Sequence, residues 1–286
     1  MHGKPLFGPG GNSESFKALK NKTTMDAPEW LKQIGLDAYE YECGRGITTS
    51  NETFALLGEK MREYEIKPSL HAPYFISLSG IDPETRLKSV EIISRSVSAA
   101  ENLGAETVVI HCGSCAKITR EEAMRLSADT LEKALDAIET DVLFGIETMG
   151  KINQLGTLEE VIELCRISPR LSPVVDFGHL NARNIGGYFV TADDYRKVFD
   201  KIANSLGDEK ARYLHCHFSK IMYTEKGGEK EHLTFADTVY GPEFEPLADA
   251  IISENVFPTI ICESAGTQSE DALTMKKIWM EKYGLC

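Results

Sequence analysis

Two rhythms of apolar and polar positions alternate along this chain. Short apolar runs of strand length recur at 5–10 (PLFGPG), 36–43 (LDAYEYEC), 68–74 (PSLHAPY), 107–113 (TVVIHCG), 142–148 (VLFGIET), 172–178 (SPVVDFG), 212–218 (RYLHCHF) and 259–265 (TIICESA). Between them lie longer stretches of helical period. In 82–104 the apolar residues Leu87, Val90, Ile93 and Val97 share one helical face, with Asp-Pro at the start and Gly104 at the stop. The segment 120–139 (REEAMRLSADTLEKALDAIE) reads the same way, and Thr157 with Glu160 three residues on forms a capping-box pattern.

Eight strands, each followed by a helix, in 286 residues predict an α/β fold of the (β/α)8 TIM-barrel type, one domain spanning 1–286. The competitor is a doubly wound open sheet, which normally carries a glycine-rich phosphate fingerprint after its first strand. The GPGG at 8–11 lacks the G-x-G-x-x-G spacing. No proline-rich linker or low-complexity segment divides the chain.

Composition changes this picture little. The chain is 42% hydrophobic and 26% charged, ordinary for a globular protein. A membrane helix needs a run of about 18 apolar residues, and the sequence has none. The N-terminal MHGKPLFGPGGNSESF lacks the layout of a secretory signal, so a cytoplasmic protein is expected. Seven cysteines, an odd number set in mostly apolar stretches, suit free thiols in a reducing compartment. Cys112 and Cys115 form a C-x-x-C after a strand, a weak redox signal on its own. The net charge of −13 argues against nucleic acid unless one face is locally basic.

Candidate chemistry lies where the strands end. His71 closes the third strand, His111 the fourth and Glu147 the fifth; Asp176 and His179 close the sixth, His215 and His217 the seventh, and Glu263 the eighth. The loop after the seventh adds Glu229, Glu231 and His232, so six of the seven histidines, all but the terminal His2, cluster at strand ends. One such ending is explained by a helix cap or a satisfied core histidine. A series of them is not. In a barrel these ends converge on one face, where barrel enzymes place their active sites. Imidazoles and carboxylates without matching thiolates suit Zn²⁺, Mn²⁺ or Fe²⁺. The set exceeds the needs of one tetrahedral ion, and a carboxylate such as Glu147 could bridge two. His215 and His217 share one strand face, so one can ligate while the other packs or supports it. By the same alternation Cys112, Cys216 and Cys262 face the covering helices.

Several segments taken together carry a family resemblance: HAPYFISL, VVIHCGS, ETMGKINQLGTLEEV, VDFGHLNA and CESAG, in this order and spacing across about residues 66–266. In them the chain resembles the endonuclease IV family of apurinic/apyrimidinic endonucleases, barrel enzymes with a trinuclear zinc cluster. The resemblance implies a first zinc on His71, His111 and Glu147. Glu147 would bridge to a second zinc held by Asp176, Glu263 and His217, the last chosen over His215 because HFSK aligns with the family's His-Leu-Asn-Asp segment. His179 and His232 would hold the third. Where the family has an Asp two residues before that last His, this chain has Lys230, so Glu229 or Glu231 takes its place. Tyr74 falls where the family has a tyrosine of a DNA-recognition loop. The chain departs from the family at LFGPGGNSESF, which lacks the GAHVS histidine, and at CGRGITTS, which offers Arg45 instead of a longer recognition sequence.

The implied reaction is hydrolysis of the phosphodiester 5′ to an abasic site by a metal-held hydroxide, with Glu147 and Glu263 as catalytic carboxylates and two or three Zn²⁺ as cofactors. Double-stranded DNA with abasic sites is the implied partner of a monomer, with no membrane involved. Basic residues in loops after strands support this: Arg45, Lys117, Lys151, Arg183, Lys220, Lys226 and Lys230, of which Arg45, Lys151, Arg183 and Lys220 are expected to contact DNA with Tyr74. The rival reading is a divalent-metal sugar isomerase or epimerase on the same barrel. Glu147, Asp176, His217 and Glu263 would hold its single ion, and His71, His111 and His232 discriminate because a mononuclear site does not need them.

Overall fold

The computed structural model describes residues 3–284; His2 and Cys286 lie outside the described residues. Each of the eight predicted segments overlaps a strand. These are β1 (Leu6–Pro9), β2 (Ala38–Glu42), β3 (Lys67–His71), β4 (Thr107–His111), β5 (Leu143–Glu147), β6 (Leu171–Asp176), β7 (His215–Phe218) and, after a two-stranded hairpin, β10 (Thr259–Cys262). They form one parallel sheet in the order β1-β10-β7-β6-β5-β4-β3-β2, with helices between successive strands. The hairpin, β8 (Ile221–Thr224) and β9 (Gly228–His232), is antiparallel and separate from this sheet.

The sheet curls until β1 meets β2, and the seam is made by a few backbone bonds. Asp37 N donates to Phe7 O and Gly11 N to Glu40 O, both at 2.9 Å. Gly8 sits at the crossing, where a Cβ would lie 1.9 Å from Ala38 O, so this approach of two backbones requires glycine.

The local signals in the sequence act as read. Asp82 accepts hydrogen bonds from the backbone N–H of Glu84 and Thr85, Pro83 opens the helix, and Gly104 ends it at φ 76°. Thr157 and Glu160 make the reciprocal capping box. Outward strand residues such as Val108, Ile110, Phe144, Ile146, Val175, Phe218 and Ile260 join the main core under the helices, as do Cys112, Cys216 and Cys262. Inward positions differ. Leu6, Ala38 and Ile261 form a small separate apolar cluster. Above it the inward faces carry Glu40, Ser69, His217 and then the strand-end imidazoles and carboxylates, as period-two alternation dictates. Among the described residues no helix is long and apolar enough to cross a membrane.

Candidate metal centre

Parallel register sets the first contacts. His111 of β4 pairs with Glu147 of β5, Asp176 of β6 with His217 of β7, and Glu42 of β2 with His71 of β3. Glu147 lies at the middle. Its Oε2 is 3.2 Å from His111 Nε2 and 3.4 Å from His71 Nε2, while its Oε1 is 3.0 Å from His217 Nδ1. One carboxylate therefore turns one oxygen to each of two groups able to hold a cation: His71, His111, Glu147 on one side, and Glu147, Asp176, His217, Glu263 on the other. A third group, His179, Glu229 and His232, abuts them. In each group the donor atoms lie within 4.8 Å of one another.

The third group depends on a bulge. Met222 pairs with Glu231 but Tyr223 pairs with Glu229, so Lys230 is the extra residue of β9. The bulge lets Glu229 and His232, three positions apart, face the same side. Glu229 Oε2 comes to 3.4 Å from His179 Nε2, while Glu231 is exposed. Of the two candidates offered by sequence, the structure brings Glu229 to the group.

Neighbouring groups fix the imidazoles. His71 Nδ1 is 2.8 Å from Ala72 O and His179 Nδ1 is 3.0 Å from Thr148 O. A carbonyl can only accept, so both rings carry Nδ1–H and turn Nε2, the nitrogen a cation would take, to the carboxylates. His232 Nδ1 lies 2.9 Å from Ser219 Oγ. Asp176 caps the helix Phe177–Arg183 through Oδ1, accepting from His179 N at 2.6 Å, which aims its other oxygen at the site.

A cation fits these residues. Asp176 Oδ2, His179 Nε2 and Glu229 Oε2 are buried and have no hydrogen-bond partner, a costly arrangement that a bound cation would relieve. Charge points the same way. Burial alone would push the Glu147 carboxyl up, but His217, His111 and His179 together hold it well below the usual carboxylate range. Burial opposes protonation of His71, yet Glu42 and Glu147 raise it to about 10, and Asp176 and Glu229 likewise lift His179. The carboxylates thus draw positive charge into the site, and a divalent cation would supply it in place of those protons.

His71, His111, Glu147, His179, Glu229, His232 and Glu263 line a cavity of about 610 Å³ at the C-terminal ends of the strands, together with Tyr74, Lys151, Gln154 and Gln268, while Asp176 and His217 are buried behind them. Tyr74 is 55% exposed at its rim, and Arg45 is exposed in the loop after β2.

Three expectations are corrected. His215 is the first residue of β7, one layer below His217 on the same inward face; it lies toward the N-terminal mouth, lining a second cavity of about 300 Å³ with Lys67 and Ser69. Arg183 is not turned toward the pocket. Its guanidinium donates to Met149 O (3.1 Å), Lys151 O (2.7 Å), Ile152 O (3.3 Å) and Gln154 O (3.0 Å), clamping the loop after β5. Lys220 is buried, its ammonium held at 2.8 Å by both Asp237 O and Glu243 Oε1. Neither cation is free to meet a phosphate.

Sequence reading missed Glu40 and Glu42. Both project from β2 into the barrel, and Glu42 lines the cavity with its carboxyl pushed up to about 7 by burial. Their spacing of two in AYEYE, on a strand of the same register as the others, was the available signal.

The C-x-x-C is no reactive pair. Cys112 is fully buried, its Sγ 2.9 Å from Glu147 O, and burial pushes the thiol well above its usual value.

Residues 28–282 match the family described as xylose isomerase-like TIM barrel. The chain belongs to that family. An uncharacterized protein of Methanocaldococcus jannaschii is 29% identical over 258 residues, covering 87% of this chain and 90% of the relative. A probable endonuclease 4 of Staphylococcus carnosus is 28% identical over 241 residues, covering 81% and 74%. Two solved structures share the fold. One is endonuclease IV of Thermus thermophilus (TM-score 0.70, 19% identity, covering 97% of this chain and 100% of that one). The other is a D-tagatose 3-epimerase-like protein (TM-score 0.72, 21% identity, 98% and 97%). This chain thus shares its fold with proteins named as an endonuclease IV and as epimerase-like, and carries its own imidazole and carboxylate groups able to hold metal ions.

Proposed function

We propose that this protein is a cytoplasmic, zinc-dependent DNA-repair endonuclease that hydrolyses the phosphodiester 5′ to an abasic site, acting as a monomer on double-stranded DNA. The observation that carries the reading is Glu147, whose two oxygens face two different cation groups 3.0–3.4 Å away while a third group abuts them. Displacement at phosphorus gains from adjacent cations, whereas an epimerase on this barrel needs one. The reading assigns His71, His111 and Glu147 to a first ion, Glu147, Asp176, His217 and Glu263 to a second, and His179, Glu229 and His232 to a third. Cations there would lower the pKa of bound water and neutralise charge developing on the phosphoryl oxygens and the leaving 3′-oxygen. The relatives named probable endonuclease 4 support it.

The chain's own residues have distinct parts in this reading. Glu263, 3.4 Å from His217 Nδ1 and 3.9 Å from His232 Nδ1, stands between the second and third groups and orients the attacking water. Lys151, exposed at the cavity, positions a phosphate without reading sequence, and Arg45 with Tyr74 at the rim engages the strand. An abasic nucleotide has no base to unstack, which lowers the cost of bringing it into the cavity.

One observation favours the epimerase. Glu42 adds a carboxylate to the cavity, a group that accepts hydrogen bonds from sugar hydroxyls and repels phosphate. The deciding experiment is incision of a duplex carrying one abasic-site analogue by zinc-loaded protein, with chelated and His111→Ala controls, beside an epimerisation assay on ketoses. Cleavage on the 5′ side that both controls abolish supports the nuclease. Ketose turnover without cleavage, by protein holding one metal per chain, replaces it with the epimerase.

A further inference from the structure

Glu40 is fully buried inside the barrel, one layer below the cation groups, and the reading above gives it no part. Its Oε2 accepts a hydrogen bond from Ser69 Oγ at 2.7 Å and stands 2.8 Å from His215 Nε2. Its Oε1 is 2.8 Å from His217 Nε2, in imperfect alignment, and neither of these two atoms has another hydrogen-bond partner. His217 is thus oriented the opposite way round from His71 and His179. Those rings give Nδ1–H to backbone carbonyls and face Nε2 to the site; His217 faces Nδ1 to Glu147 and Glu263 and turns Nε2 down to a carboxylate. A buried carboxylate is costly unless donors surround it, and here Ser69, His215 and His217 do.

We propose that Glu40 is a positioning residue that accepts the Nε2–H of His217 and so keeps the proton on Nε2, leaving Nδ1 bare toward Glu147, Asp176 and Glu263, while His215 braces Glu40 from below and holds no cation. The inference rests on the assignment of His217 to the second ion, and not on the substrate. A carboxylate behind an imidazole fixes its tautomer and orientation and raises its basicity toward a cation. Glu40, His215 and His217 are themselves close enough to hold an ion. Glu40 Oε2, however, already receives both Ser69 and His215, so an ion there would displace two hydrogen bonds.

The test measures zinc per chain by elemental analysis across a graded chelator series. Glu40→Gln should lose its second ion at roughly 10- to 100-fold lower chelator strength than the wild type, the usual effect of removing such a partner. Ser69→Ala and His215→Asn, each of which removes one donor to Oε2, should shift the same way by less, and before chelator is added His215→Asn should keep the full metal complement. Retention equal to wild type in Glu40→Gln, or an ion missing from His215→Asn before chelator is added, overturns the proposal. Should Glu40→Gln not fold, imidazole nitrogen NMR of the zinc-loaded wild type decides: Nε2-protonated His217 supports it, Nδ1-protonated His217 overturns it. Zinc-loaded protein that passes these tests but leaves abasic DNA intact would sink the nuclease reading and leave this one standing.

Discussion

Replacing Arg183 by methionine separates a structural arginine from a phosphate-binding one. Its guanidinium is half-buried and donates to four carbonyls of residues 149–154 at 2.7–3.3 Å. A hydrogen bond to a charged group contributes about 1.5–3 kcal/mol when its loss strands a partner. Two of the four exceed 3.0 Å and the loop can partly rehydrate, so the expected loss is about 2–4 kcal/mol rather than the full sum. The effect should reach the metal site. Gly150 O accepts from Glu229 N at 3.1 Å and Gly227 O from Ile152 N at 3.2 Å, so this loop anchors the hairpin that carries Glu229 and His232. Urea denaturation would show the stability loss, and elemental analysis a reduced content of the third ion. Each phosphate contact contributes about 0.9 to the slope of log K against log salt on duplex DNA. Lys151→Ala should lower that slope by about this amount with stability changed by less than about 0.5 kcal/mol. Arg183→Met should do the reverse. Unchanged stability with the slope reduced by about one would refute the assignment of Arg183 to the loop.

Three further outcomes are expected. Gly8→Ala places a methyl 1.9 Å from Ala38 O at the barrel seam and should cost at least about 3 kcal/mol or prevent folding; an unchanged urea midpoint would show that the seam is elsewhere. Glu147→Gln removes the carboxylate that faces two groups, so abasic-site incision should fall at least about 100-fold, with fewer zinc ions per chain by elemental analysis, and wild-type zinc content would contradict the bridging role. Alkylation of the native protein at about pH 8 should label half-buried Cys115 well before Cys112, since burial holds the Cys112 thiol far from ionising; equal rates by peptide mass mapping would revive the C-x-x-C as a reactive pair.

The residues that the sequence marked most plainly are those at which a local signal and a strand end coincide. Asp176 ends a valine run and caps a helix, so both its position and its orientation follow from VVDFGH. His111 and Glu147 end apolar strands and meet through parallel register. The failures share a cause. Arg183 and Lys220 lie after strands, as phosphate contacts would, but what a cation binds depends on which carbonyls and carboxylates the fold brings near it. Here those partners lie about 30 residues away for Arg183, and at Asp237 and Glu243 for Lys220.

The amino-acid sequence by itself carries the alternation: eight apolar runs with helices between them, capped at Asp82 and Thr157, and a set of imidazoles and carboxylates timed to the strand ends. Period-two geometry and barrel closure turn that timing into a single face, which is why a linear pattern could announce a metal centre. The rest came from contacts between distant segments. A bulge at Lys230 selected Glu229 over Glu231, because one extra residue changes which positions share a side. Two residues of strand length, one layer of the barrel, separate His217 at the metal groups from His215, which pairs with Val174 and Thr259 and lines the opposite mouth. And β2, brought beside β3 with its inward face toward β7, placed Glu40 between two histidines some 175 residues away, a relation that no local spacing contains.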